Sequence, residues 1–157
     1  MALFLSTFVN KIDKKGRVSV PASFRAALNV QTFSGIVTFP SFTLAALECS
    51  GMDRFEQLAT SVDELDPFSD QRDNLATAIF ARTVQMPFDG EGRIMLTEPL
   101  LAHARLDDHA AFVGQGRTFQ VWSPAALDAH VRAAAQQARD NRAVLKIGPR
   151  HPPDTGS

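Results

Sequence analysis

The chain has 157 residues, 45% of them apolar and 21% charged, the balance of an ordinary globular protein with enough apolar mass for one core. A formal net charge of −1 excludes a globally basic surface, so attraction to nucleic acid or to an anionic membrane would have to come from a local patch. The single cysteine, Cys49, excludes an intramolecular disulfide and a cysteine-rich zinc site, and a reducing cytoplasmic setting is expected.

In chain order, residues 1–9 (MALFLSTFV) are apolar but lack a basic start, a cleavage pattern and the length of a spanning helix, and they read as a buried first strand. No other stretch approaches the roughly 20 apolar residues that cross a bilayer. Residues 13–20 (DKKGRVSV) form a turn leading into an alternating strand, and Pro21 stands before a short helix, ASFRAAL. An apolar strand at 35–39 (GIVTF) and a LALE-like strand follow. Helical patterns come next at 52–58 and 75–82, with Ser69 as N-cap of the second. The order then recurs: DGEGRIML at 89–96, Pro99 before LLAHA, strands at 110–114 (AAFVG) and 119–122 (FQVW). Ser123-Pro124 then opens an Ala-rich helix to about residue 143. The ending GPRHPPDTGS reads as disordered.

The recurrence is an internal duplication. Aspartate, glycine, arginine and two aliphatics repeat with one offset, so Asp13, Gly16 and Arg17 match Asp89, Gly92 and Arg93. Each half has about 75 residues, where an isolated core is marginal. The halves are therefore expected to share one core, as an interlocked pseudo-twofold barrel in which strands of each copy complete the other's sheet.

The repeated motif has a physical logic. Asp13 can accept a backbone N–H two residues on, and Gly16 can take the positive φ that would strain Lys15. Arg17 then starts a strand beside Lys11, Lys14 and Lys15, and residues 1–34 hold these cations and Arg25 against one acid, Asp13. Lysines suit phosphate contacts, and an arginine can also read a guanine edge. In the second copy only Arg93 is basic and Glu91 would repel phosphate, so the first loop is expected to face DNA and the second to serve structure or subunit contacts. Turn chemistry alone also selects these residues, and on that reading the arginine only pairs with the aspartate four positions earlier.

The string NKIDKKGRVSVPASFR at 10–25 resembles the first signature of the MraZ family. DGEGRIML at 89–96, then Val113-Gly114 and FQVW at 119–122, resemble the second, and the likeness runs from about residue 3 to 140. The resemblance implies an α+β, β-rich fold: a pseudo-twofold swapped-hairpin barrel of two tandem AbrB-like modules with flanking helices. The modules would span 1–62 and 83–143, with a connecting helical region at 63–82 and a disordered tail at 144–157. It further implies a ring-shaped homo-oligomer and regulation of transcription through double-stranded promoter repeats upstream of a cell-division and cell-wall gene cluster. Nucleoid association would follow.

By residue, Arg17 matches the family's DNA-contacting arginine, with Lys14, Lys15 and Lys11 around it and Asp13, Gly16, Asp89, Gly92 and Arg93 anchoring the turns. The sequence departs from the family's usual Tyr-Pro and Trp in the first half, where it reads Leu47-Glu48-Cys49-Ser50-Gly51, with Phe55 in the later aromatic place. Its middle helix has only Arg72 and Arg82. A ring-forming structural or partner-binding oligomer without DNA binding is the alternative, and an antitoxin-like module fits less well because the Pro-rich tail is short.

Other signals point nowhere. Asp13 and Asp89 lack the Asp-Thr/Ser-Gly of a paired-aspartate protease, and Asp154-Thr155-Gly156 falls in the tail. His103, His109, His130 and His151 lack metal-ligand spacing and read as solvated or helix-surface residues. Phe4, Phe8, Phe24, Phe39 and Phe112 read as core residues, and Gly114-Gln115-Gly116 as a hairpin turn. No nucleophile, base and orienting group recur together, so no catalytic residue, metal or cofactor is expected.

Overall fold

The computed structural model describes residues 3–29 and 31–146. They divide into a unit running through Leu127 and another from Asp128 onward. The expected disordered tail lies, from residue 147, outside the described residues.

Each copy contributes four strands to the first unit. In the first copy they are β1 (Thr7–Lys11), β2 (Arg17–Ser19), β3 (Gly35–Pro40) and β4 (Leu47–Ser50), and in the second β5 (Val84–Pro87), β6 (Arg93–Met95), β7 (His109–Gly114) and β8 (Phe119–Trp122). Helices α1 (Ala22–Leu28) and α4 (Glu98–His103) occupy matching places after β2 and β6, while α2 (Met52–Asp63), α3 (Asp70–Ile79) and α5 (Pro124–Asp140) close the copies. The class is α+β, as expected.

Six strands form an antiparallel sheet in the order β1-β7-β8-β4-β3-β5, and β2 pairs with β6 as a separate ribbon. Exchanging the copies reproduces the sheet order read backwards. β1 of the first copy pairs with β7 of the second, from Thr7 opposite Val113 to Lys11 opposite His109. β5 pairs in turn with β3, from Gly35 opposite Pro87 to Thr38 opposite Val84. At the centre β4 meets β8, with Glu48 opposite Gln120.

The shared core follows from this interleaving. Phe24 on α1 is fully buried among Phe4, Phe119 and Phe112, at ring-centroid distances of 5.2, 5.0 and 6.4 Å. Val18, Leu28 and Ile36 of the first copy join Ile94, Leu100 and Val121 of the second in the same cluster. Full burial of one such side chain is worth about 1.5–3 kcal/mol. Parting the copies would expose all of them at once.

Local chemistry sets the helix ends. Ser69 caps α3, its hydroxyl accepting from the Arg72 N–H at 3.1 Å, and Ser123 does the same for Ala126 at 3.1 Å ahead of Pro124 in the first turn of α5. Several bounds differ from expectation. β4 begins at Leu47 because the Ser41 hydroxyl accepts from the N–H groups of Thr43 and Leu44 and holds that stretch in a turn. The helix expected at 52–58 extends to Asp63. The segment expected at 75–82 is α3 followed by a tight 3-10 turn at Phe80–Arg82, and the last helix ends at Asp140.

The first strand is not buried as expected. Phe4 is enclosed and bridges to Gly116, but Leu3, Leu5, Phe8 and Val9 are exposed, because β1 is an edge strand. Phe39 is likewise only half-buried and faces Phe55, away from the shared core.

Candidate nucleic-acid interface

The two repeated turns are built alike, atom for atom. In the first, Asp13 Oδ1 accepts from the backbone N–H groups of Lys15 and Arg17, both at 2.9 Å, and Oδ2 accepts from Arg17 Nε at 2.7 Å. In the second, Asp89 Oδ1 accepts from Glu91 and Arg93 N–H at 2.9 Å, and Oδ2 from Arg93 Nε at 2.9 Å. The backbone closes each loop, with Gly16 N–H donating to the Asp13 carbonyl at 3.0 Å and Gly92 N–H to Asp89 at 3.1 Å. Both glycines have positive φ, 85° and 75°, a conformation that strains any side chain. The backbone N–H of each arginine, with the other donors, holds both aspartate carboxyls below their usual range.

The ribbon joins the turns. Arg17 lies opposite Met95, Val18 opposite Ile94 and Ser19 opposite Arg93. Residues two apart and directly opposed share a face. Val18 and Ile94 are therefore the buried side, and Arg17, Ser19, Arg93 and Met95 form the outer one. The Arg17 and Arg93 side chains are 32% and 26% exposed, and Met95 is 55% exposed. Both arginines border one depression of about 350 Å³ beside β5. From sequence Arg93 is expected to serve a separate role from Arg17, whereas the ribbon register brings the two to one surface.

The remaining cations divide. Lys14 and Lys15 are exposed on the first turn. Lys11 is exposed on β1 opposite His109 and shares a depression with Lys14, Asp107 and Asp108, so acids accompany it. Arg25 departs furthest from the expected cluster. Its Nε donates to the Val20 carbonyl at 3.1 Å, and its guanidinium lies over Gly92 of the second turn. The matching position in the second copy, Leu101, approaches Gly16 of the first. The second turn thus receives from the first copy a cation that its own sequence lacks, while Glu91 stands 3.7 Å from Arg93 Nη1.

Elsewhere the chemistry is sparse. Among the described residues no three His, Cys, Asp or Glu side chains are grouped to hold a metal ion, and no helix is long and apolar enough to cross a membrane. His103 is half-buried, its Nε2 3.0 Å from the Leu44 carbonyl, and exposed His109 pairs with Asp108 at 3.2 Å.

Comparison with known proteins identifies the family. A family model described as "MraZ protein, putative antitoxin-like" matches residues 79–147, which contain the second turn. A protein of Pelagibacter ubique named "Transcriptional regulator MraZ" is 49% identical over 144 residues, 92% of this chain and 93% of its own length. Proteins of the same name from Rickettsia rickettsii and Rickettsia akari are 42% and 40% identical over 146 residues, 93% of this chain and 98% of theirs. The chain belongs to the MraZ family. These names place the chain in a family of transcriptional regulators rather than of enzymes.

Proposed function

We propose that this chain is a sequence-specific DNA-binding regulator of transcription, acting in the cytoplasm at the nucleoid on repeated elements upstream of a cell-division and cell-wall gene cluster. The observation that carries the reading is the outer face of the β2/β6 ribbon, where Arg17 stands with Arg93 and the Lys14-Lys15 loop adjoins them. A two-stranded ribbon has the width of a major groove, in which arginine can make a two-pronged contact with guanine. Asp13 engages Arg17 only through Nε, so the guanidinium is aimed as well as neutralised. Lys14, Lys15 and Lys11 would take phosphates, and Asp13, Gly16, Asp89, Gly92 and Arg93 would hold the turns.

In this reading modules 1–62 and 83–143, joined by 63–82, form a swapped-hairpin barrel, and copies of the chain close into a ring. The exposed Val9 on edge strand β1, with Leu3 and Leu5 ahead of it, offers apolar area for such contacts. Several weak patches acting on tandem repeats would multiply affinity by about 10²–10⁴, which reconciles a near-neutral chain with tight binding. The test is a salt titration of binding to the DNA upstream of the protein's own gene against a scrambled duplex. Preference for the former, with log K falling by about 0.9 per phosphate neutralised, supports the reading. Equal binding to both, or undiminished binding by Arg17→Ala, removes it.

One observation favours a second reading. Arg17 is paired with Asp13, and Arg93 with Asp89 near Glu91, as in a purely structural turn. A ring-forming or partner-binding oligomer without DNA binding would need no more, and it gains if the titration shows no binding.

A further inference from the structure

Glu48 occupies the centre of the duplicated sheet, opposite its counterpart Gln120. The pair is asymmetric in charge and fixed in geometry. Gln120 Nε2 donates to Glu48 Oε1 at 2.9 Å, while Gln120 Oε1 accepts from the indole N–H of Trp122 at 2.9 Å, so the amide cannot turn over without losing both bonds. Glu48 is half-buried, and among the described residues no Lys, Arg or His lies within ion-pair distance of it. Carboxylates are seldom withdrawn from water without a cationic partner.

Glu48 also lines a cavity of about 340 Å³ between the sheet and α2. Phe39, Phe55 and Leu58 give it half-buried apolar walls. Arg54, exposed on α2 at the mouth, donates instead to Gln57 at 3.3 Å. An apolar cavity of some 300–1,000 Å³ with a few fixed polar groups is the usual form of a small-ligand site. Burial raises the Glu48 pKa, as expected of a carboxyl without a countercharge.

We propose that this cavity is a binding site for a small organic ammonium compound, whose cationic head pairs with Glu48 and whose apolar body lies between Phe39, Phe55 and Leu58. The site is on the sheet face opposite the shared core, and it does not depend on whether the ribbon binds DNA. Gln120, held by Trp122, and the Ser41 hydroxyl both donate to the carboxylate, but neither carries charge, and the incoming ammonium would supply the countercharge.

Calorimetric titration of the full chain without DNA tests this, with n-pentylamine and benzylamine as probes and n-pentanol and benzyl alcohol as their uncharged counterparts. The wild type should bind at least one amine about tenfold or more tightly than the matching alcohol, the difference a charge-assisted hydrogen bond makes. Glu48→Gln keeps shape and the Gln120 bond and should lose that preference. Ser61→Trp, at an exposed position on the rim, should block entry while the folded circular-dichroism spectrum persists. Amine binding that survives Glu48→Gln, equal binding of amine and alcohol, or no binding of either amine would overturn the proposal.

Discussion

Arg25 of the first copy covers Gly92 of the second, so closely that a Cβ built at Gly92 would lie 2.5 Å from Arg25 Nη1. Its counterpart is different in kind: a Cβ at Gly16 would meet the Leu96 carbonyl oxygen at 2.6 Å. Both glycines have positive φ, so alanine at either costs about 1–2 kcal/mol in backbone strain alone. A guanidinium can swing aside, whereas Leu96 is fixed by its own N–H donating to the Gly16 carbonyl at 2.8 Å. Gly16→Ala should therefore destabilise clearly more than Gly92→Ala in chemical unfolding. Adding Arg25→Ala should recover part of the loss from Gly92→Ala and none of that from Gly16→Ala. Equal costs with no rescue would show that the clashes do not matter.

The shared outer face gives a graded expectation for DNA. Arg17→Ala should cost about 1–3 kcal/mol in binding to the preferred repeat and relax its selectivity. Lys15→Ala should weaken all sequences alike and lower the salt slope by about 0.9. Arg93→Ala should fall between wild type and Arg17→Ala, since Glu91 and Asp89 both lie near its guanidinium. Fluorescence anisotropy across a salt series separates the three. Wild-type affinity and slope in Arg93→Ala would confine recognition to the first loop.

The duplication and the two turns were legible in sequence because both are local: an aspartate, a glycine and an arginine at fixed spacing determine their own hydrogen bonds. The sharing of a core followed from repeat length, and the α+β class from the family resemblance. The partners across copies were not legible. Nothing in the string around Arg25 indicates that it reaches Gly92, although the offset that carries Asp13 onto Asp89 also carries it onto Leu101 and marks the position as equivalent. The single face of Arg17 and Arg93 depends on the β2/β6 register, a long-range pairing that composition does not encode. Burial of β1 was not legible either, because an edge strand and a central one can share the same apolar run.

Acid should loosen the turns. Asp13 and Asp89 each have a folded-state pKa below the ordinary value of 3.8, chiefly through the backbone N–H groups of Arg17 and Arg93. A depressed carboxyl pKa contributes stability that is present above the unfolded value and disappears as pH falls through the folded one. Stability should thus decline on acidification below about pH 4. Asp13→Asn with Asp89→Asn should be less stable at neutral pH and flatter across that window. A double variant with the wild-type pH profile would show that these carboxyls do not govern it.

Glu48 should behave with the opposite sign. Burial raises its pKa above the ordinary 4.5, with hydrogen bonds from Gln120 and Ser41 opposing the shift, so the folded state holds the proton more tightly than the unfolded one. The ionised group then destabilises the fold at neutral pH, and this penalty shrinks as pH falls through the raised value and is gone below the unfolded one. Glu48→Gln, which can keep the acceptor for Gln120, should accordingly raise the melting temperature near pH 7, and the gain should fade towards pH 4. The same comparison with an ammonium probe present should narrow the gap, because only the wild type gains a countercharge. A Gln variant less stable than wild type at pH 7 without ligand would mean that Glu48 is already compensated within the protein, and the case for a vacant cationic partner would fall with it.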